Sequence, residues 1–293
     1  MAVGTKHGLA AGKAGQPDRA DWIIDQGWEH YTAEEHRVWR TLFERQTRLL
    51  PARACDAFVR GMRELPIGPE QIPDFRRLSD ILMPRTGWQV VAVPGLVPDE
   101  VFFDHLAHRR FPSGNFIRRP HELDYLEEPD VFHDVFGHVP MLMNPAIADF
   151  LQAYGEGGLR AQRLGRLPQL ARVYWYTIEF GLLRQKEGVR IYGAGIASSA
   201  SETMFALESA SPNRIRFSLE RVMRTGYRID DFQESYFVID DLDELLELAQ
   251  IDFALLYDRI GSNQEYEPGE ALPDDMLVSQ GDGSYHRARR TGA

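Results

Sequence analysis

His133 and His138 stand five residues apart in Phe132-His133-Asp134-Val135-Phe136-Gly137-His138-Val139, a segment too apolar to stay in water. Phe132, Val135, Phe136 and Val139 belong in a core, so the two imidazoles between them are carried inward as well. Buried ring nitrogens need partners. Further along, Tyr174-Trp175-Tyr176-Thr177-Ile178-Glu179-Phe180 sets a carboxylate among aromatic neighbours. A carboxylate is almost never buried unless it is paired or ligating. A metal ion shared by His133, His138 and Glu179 would satisfy all three, whereas Arg172 or Arg184 would offer Glu179 an ordinary ion pair.

The spacing narrows the choice. On an ideal helix of 3.6 residues per turn, five residues rotate the second ring by about 140° from the first. Both rings reach one ion only if the helix ends or distorts between them, and Gly137 and Pro140 are the expected break. Glu128-Pro129 is expected to open this helix, since Pro is tolerated in a first turn. Zinc proteases place their two His four apart with a Glu general base between them. Here that base would have to be Asp134, which leaves a zinc hydrolase as an alternative. Two imidazoles and one carboxylate are the donor set of non-haem Fe(II) oxygenases, with coordination positions left open. A catalytically silent metal-binding or interaction protein is the third possibility.

The formal net charge of -11 argues against a nucleic-acid partner, which wants a basic face. Cys55 is the sole cysteine, which excludes an intrachain disulfide and fits a reducing, cytoplasmic setting. No apolar run approaches the ~20 residues of a membrane span. Apolar periodicity defines a body over 22–266, between a leader at 1–21 expected to be disordered and a polar tail at 267–293. The basic run Arg287 to Arg290 in that tail is expected to be solvated.

Helices are expected after the capping box Thr32-Ala33-Glu34-Glu35, over 52–65, 69–83, 99–107, 146–154 and 170–186, from about Ser199, and over 241–249. Short strands are expected at 88–93, 189–192 and 236–239. The sum is mainly α with a few short β-strands, an α+β fold in one domain.

His133-Asp134-x-x-Gly137-His138, the stretch Tyr174 to Leu183, and Tyr192-Gly193-Ala194-Gly195 together closely resemble the aromatic amino acid hydroxylases, in particular their short bacterial members. The likeness covers roughly residues 88–253. It implies a mainly helical catalytic domain that hydroxylates an aromatic amino acid with O2, Fe(II) and a tetrahydropterin. The bare bacterial-type architecture favours L-phenylalanine as substrate, although tyrosine and tryptophan hydroxylases share these motifs. It also implies a monomer, since neither terminus has room for a regulatory or tetramerising segment.

By the same likeness His133, His138 and Glu179 are the iron ligands, and Tyr174 stands close to the iron. Gly95, Leu96 and Val97 match the pterin loop, Phe102 the residue stacked on the pterin, and Asp134 a pterin-facing acid. Phe102 could equally be a core aromatic of an amphipathic helix. Arg118 matches the arginine for the substrate carboxylate, a task suited to a guanidinium fork, although a surface arginine is the plain alternative. Pro129, Asp130, Trp175, Phe180 and Gly195 match the substrate pocket. Trp175 lies four before Glu179, which puts an indole beside the metal. Ser198 matches a serine that orients a His ligand, while the neighbouring Ser199-Ala200-Ser201-Glu202 reads as a capping box. Leu126 departs from the threonine of animal members.

Overall fold

The computed structural model describes residues 19–124, 128–260 and 265–291. It opens with three helices, α1 (Ala33–Leu49), α2 (Asp56–Glu64) and α3 (Phe75–Thr86). The expected capping box starts α1: Glu35 N–H donates to Thr32 Oγ1 at 3.2 Å, and Thr32 N–H donates to the Glu35 carboxylate at 2.7 Å. α2 begins later than Ala52, because Ala52 takes a positive φ of 62° and Ala54 bridges to Ile191. α3 likewise begins beyond Pro69, behind an Asp74 cap that accepts from Arg76 N–H.

A βαβ unit follows, in which β1 (Gln89–Val93) and β2 (Arg110–Gly114) run parallel around α4 (Asp99–Ala107). β2 is hidden in the sequence by Pro112 and Gly114. They are tolerated because β2 pairs with β1 alone and is therefore an edge. Within α4, Phe103 is the fully buried core residue and Phe102 is only half-buried.

The helix expected to open at Glu128-Pro129 begins at Phe132 and is a π-helix, Phe132–His138, continued by a 3-10 turn at Val139–Met143 and by α5 (Pro145–Arg163). α6 (Leu167–Tyr174) runs straight into a second π-helix, Trp175–Glu179. The single helix expected over 170–186 therefore ends at Glu179. Phe180 leaves the helical region at φ -123°, and β3 (Leu182–Gln185) pairs antiparallel with β4 (Gly188–Ile191).

The chain continues through α7 (Ala194–Ala197), α8 (Ala200–Glu208), β5 (Asn213–Arg216) and α9 (Leu219–Met223). β6 (Ser235–Ile239), α10 (Asp243–Leu248), α11 (Phe253–Ile260), β7 (Leu277–Ser279) and α12 (Ser284–Thr291) complete it. The larger sheet has the order β4-β3-β6-β5-β7. The fold is mainly α with short strands, as expected.

Residues 267–291 are not the polar tail that their composition suggests. β7 pairs antiparallel with β5, and α12 lays Tyr285 and the buried His286 against Phe205. A three-residue strand and one aromatic turn are too short to produce a periodic signal. Arg289 and Arg290 of the basic run are exposed but paired, with Asp231 at 3.0 Å and Glu234 at 2.9 Å.

The core explains how the first π-helix is held. Phe132 and Phe136 stack at 4.8 Å, Trp39 meets Phe132 at 5.3 Å, and Phe43 and Phe58 meet Phe136 at 5.7 and 6.0 Å. α1 and α2 thus grip its apolar face, and the histidine side is left toward the second π-helix.

Candidate active site

A π-helix closes its backbone bonds from residue i to i+5, so residues five apart return to one face. This resolves the spacing of the two histidines. The segment widens rather than breaks, and Gly137 serves packing instead of a kink: a Cβ there would meet the Ala194 carbonyl oxygen of α7 at 2.9 Å. The second π-helix ends on the same pattern, with Phe180 N–H donating to the Trp175 carbonyl at 2.8 Å.

The two turns bring the three ligand candidates together. His138 Nε2 lies 3.2 Å and His133 Nε2 3.5 Å from the Glu179 carboxylate, and the two imidazole Nε2 atoms are 3.3 Å apart. Among the described residues this is the group of His, Cys, Asp and Glu whose donor atoms converge as metal ligands would. The ion-pair alternative for Glu179 is answered by its former suitors. Arg172 pairs with Glu265 at 2.6 Å and Arg184 with Asp240 at 2.8 Å.

Ser198 decides the tautomer of His133. Its hydroxyl donates to the Ala194 carbonyl at 2.8 Å, so its oxygen accepts from His133 Nδ1–H at 2.9 Å. Nε2 then presents its lone pair to the centre, as a ligand must. Burial pushes His133 down to about 4, which keeps the ring neutral. Burial alone would raise Glu179, but the two adjacent imidazoles outweigh it and hold the carboxyl at about 2. Two imidazole nitrogens and one carboxylate, all turned inward, fit a divalent metal such as Fe(II).

Two clefts meet at this triad. The first is lined by Gly95, Leu96, Val97, Phe102, Asp134 and Tyr174, with the triad at its end. Gly95 sits at φ 155°, a backbone conformation that residues with a Cβ rarely adopt, so glycine suits this turn. Glu128 accepts from Leu96 N–H at 3.1 Å. Asp134 accepts from Gly114 N–H at 2.8 Å, and burial raises its carboxyl to about 7. Tyr174 lies nearly parallel to His138, with ring centroids 6.4 Å apart, and burial keeps its phenol protonated.

The second cleft, of about 460 Å³, is lined by Arg118, Pro129, Trp175, Phe180, Gly195 and Ser198. Pro129, His133 and Glu179 border both clefts. Asp130 does not reach the surface of either. It is fully buried, clamps Arg118 through Nε at 2.8 Å and Nη2 at 2.9 Å, and accepts from His133 N–H at 3.0 Å. Arg118 is therefore buried and held, not a surface arginine. Leu126 lies outside the described residues.

Sequence reasoning missed the far wall of this cleft. Trp175 Nε1 donates to Gln233 Oε1 at 2.8 Å, and Tyr227 stacks on the indole at 4.4 Å. Glu202 of α8 also lines the cleft and accepts from the Tyr236 hydroxyl. Burial pushes the Glu202 carboxyl up to about 7. The Ser199-to-Glu202 capping box had already absorbed Glu202 as a local device. In fact Ser199 caps Glu202 N–H at 3.3 Å while the carboxylate turns inward.

The arrangement matches a known family. A profile described as biopterin-dependent aromatic amino acid hydroxylase matches residues 28–262, and the chain belongs to that family. Within it, the similarity runs to enzymes named for one amino acid. The phenylalanine-4-hydroxylase of Caulobacter vibrioides is 61% identical over 270 residues, which covers 92% of each chain. An iron- and phenylalanine-bound structure of phenylalanine hydroxylase from Chromobacterium violaceum superposes with a TM-score of 0.85 at 52% identity, covering 89% of this chain and 95% of that one. A structure of the same enzyme with iron(III) and 7,8-dihydrobiopterin gives a TM-score of 0.85 at 54% identity, over 89% of this chain and 94% of that one.

Two outcomes follow from the site. Ser198→Ala removes the acceptor that fixes the His133 tautomer and should weaken Fe(II) binding roughly 10- to 100-fold, read by competition with a chelator. Glu202 is protonated in the fold up to about 7, whereas its ordinary value is 4.5. The stability tied to that proton is full below 4.5 and is lost as pH rises through 7. Glu202→Gln should therefore gain stability over the parent chain as pH climbs through this window, and urea midpoints from pH 4.5 to 8 should diverge accordingly.

Proposed function

We propose that the two clefts are the pterin and amino acid sites of one reaction centre, joined at His133, His138 and Glu179. The chain is an iron- and tetrahydropterin-dependent monooxygenase that converts L-phenylalanine to L-tyrosine with O2. The carrying observation is the shared border: Pro129, His133 and Glu179 face both clefts, so two organic molecules can approach one metal from different sides. When bound, the iron and pterin together supply the activation of O2, which no side chain of the protein can perform.

What the chain supplies is position, charge and dryness. His133, His138 and Glu179 would hold the iron. Phe102 would lie against the pterin ring, with Gly95, Leu96, Val97 and Asp134 along its edge. Glu128 holds Leu96 N–H in the structure and would compete with a pterin for that donor.

On the other side, Arg118 would bind the substrate carboxylate. Asp130 occupies Nε and one Nη2 hydrogen, and among the described residues the remaining N–H groups of the five-donor guanidinium have no other hydrogen-bond partner. Asp130 also orients the fork, so less ordering is left for binding to pay. Trp175 and Phe180, with ring centroids 4.6 Å apart, form an aromatic wall beside Glu179. Pro129 and Gly195 complete the slot, which suits a flat apolar ring with a charged end.

The decisive measurement loads Fe(II) without air, then adds O2 and a tetrahydropterin with phenylalanine, tyrosine or tryptophan, and separates the products. Tyrosine formed from phenylalanine, dependent on pterin, is expected. Equal turnover with zinc and no pterin would refute the reading, and a dominant tryptophan product would refute the substrate. Arg118→Lys should raise KM for phenylalanine roughly tenfold or more, since a charged hydrogen bond contributes about 1.5–3 kcal/mol. KM for the pterin should stay near its parent value; an equal rise in both would make Arg118 a structural residue.

A further inference from the structure

We propose that α12, far along the chain from the metal ligands, is a positioning element for the amino acid cleft. It would act by holding the 228–234 loop so that Gln233 locks the Trp175 indole beside Glu179. This rests on the reading of that cleft as the amino acid site.

The physical route is continuous. Tyr285 Oη donates to Asp231 Oδ1 at 2.9 Å, and Arg289 Nε pairs with Asp231 Oδ2 at 3.0 Å, so both carboxylate oxygens are engaged from one helix. His286 Nε2 meets the Phe232 carbonyl at 2.8 Å, and Arg290 reaches Glu234 at 2.9 Å. Four residues of α12 therefore grip three loop positions, 231, 232 and 234. Beneath them, Phe232 stacks on Phe205 at 4.3 Å, and Phe205 meets Tyr285 edge-on at 5.2 Å. The loop is wedged between α8 and α12.

Gln233, between Phe232 and Glu234, is almost fully buried. Its amide has both ends committed. Nε2 donates to the Arg228 carbonyl at 2.8 Å, which fixes Oε1 as the end that accepts from the indole at 2.8 Å. An amide tied at both ends cannot turn without giving up a buried hydrogen bond. Trp175 thus has one orientation for as long as the loop keeps its place. Tyr285 and Arg289 also line the cleft, so α12 borders the space it organises.

A helix that merely stabilised the fold would not alter how the cleft treats its ligand. Tyr285→Phe combined with Arg289→Gln removes both contacts to Asp231 and keeps the ring packing on Phe205. KM for phenylalanine should rise roughly three- to tenfold, the range that one or two lost hydrogen bonds allow. Fe(II) stoichiometry and KM for the pterin should stay within about twofold. Gln233→Leu should produce the same split from the other end of the route. Combined, the two sets should act less than additively on KM, because both release the same indole.

Full additivity, or a fall in thermal midpoint with KM unmoved, would overturn the proposal. If the double variant fails to fold, Tyr285→Phe alone carries the same comparison with Gln233→Leu. A parent chain that leaves phenylalanine untouched would instead refute the functional reading. A parent that hydroxylates phenylalanine alongside an additive pair would sink only the role of α12.

Discussion

The structure depends on the widened turn that carries His133 and His138. An α-turn would point these two rings about 140° apart, and a π-turn brings them onto one face. Such a turn is rare because it gives up helical packing, so something else must hold it. Here the aromatic stack of Phe132 and Phe136 against Trp39, Phe43 and Phe58 does so on one side. The close approach of Gly137 to α7 does so on another. A second π-turn delivers Glu179 to the same point. Three groups that would each be costly alone in the interior become each other's compensation, with a metal ion as the fourth partner.

Around that centre the polar groups form a chain of orientation. Ala194 fixes the Ser198 hydroxyl, Ser198 fixes His133, and Asp130 fixes both the His133 backbone and the Arg118 fork. One buried carboxylate thus serves the histidine turn and the Arg118 cleft at once. The Asp130 carboxyl is under pressure to rise from burial, and the Arg118 guanidinium holds it below its ordinary range.

Much of this was legible in the residues, and the illegible part has physical causes. The triad could be named because its neighbours are too apolar to stay outside, and burial forces the question of partners. The means of convergence could not be named, since periodicity arguments assume 3.6 residues per turn and read a five-residue step as a break. Asp130 matches a pocket residue by family resemblance, and a match of position does not say which way the side chain faces. Gln233, Tyr227 and Tyr285 gave no signal at all. Their significance lies in contacts with residues more than fifty positions away, and no local pattern encodes those. β2 was hidden for another reason, since Pro112 and Gly114 mask its strand character.

The border shared by the two clefts has a thermodynamic corollary. Whatever free energy an occupant of one cleft spends in shifting Glu179 or Pro129 is felt by an occupant of the other, and reciprocity requires the effect to be equal in both directions. Occupants of the two clefts that both displace Glu179 or Pro129 would not have independent affinities. A constant measured for either one alone describes a different molecule from the one that turns over.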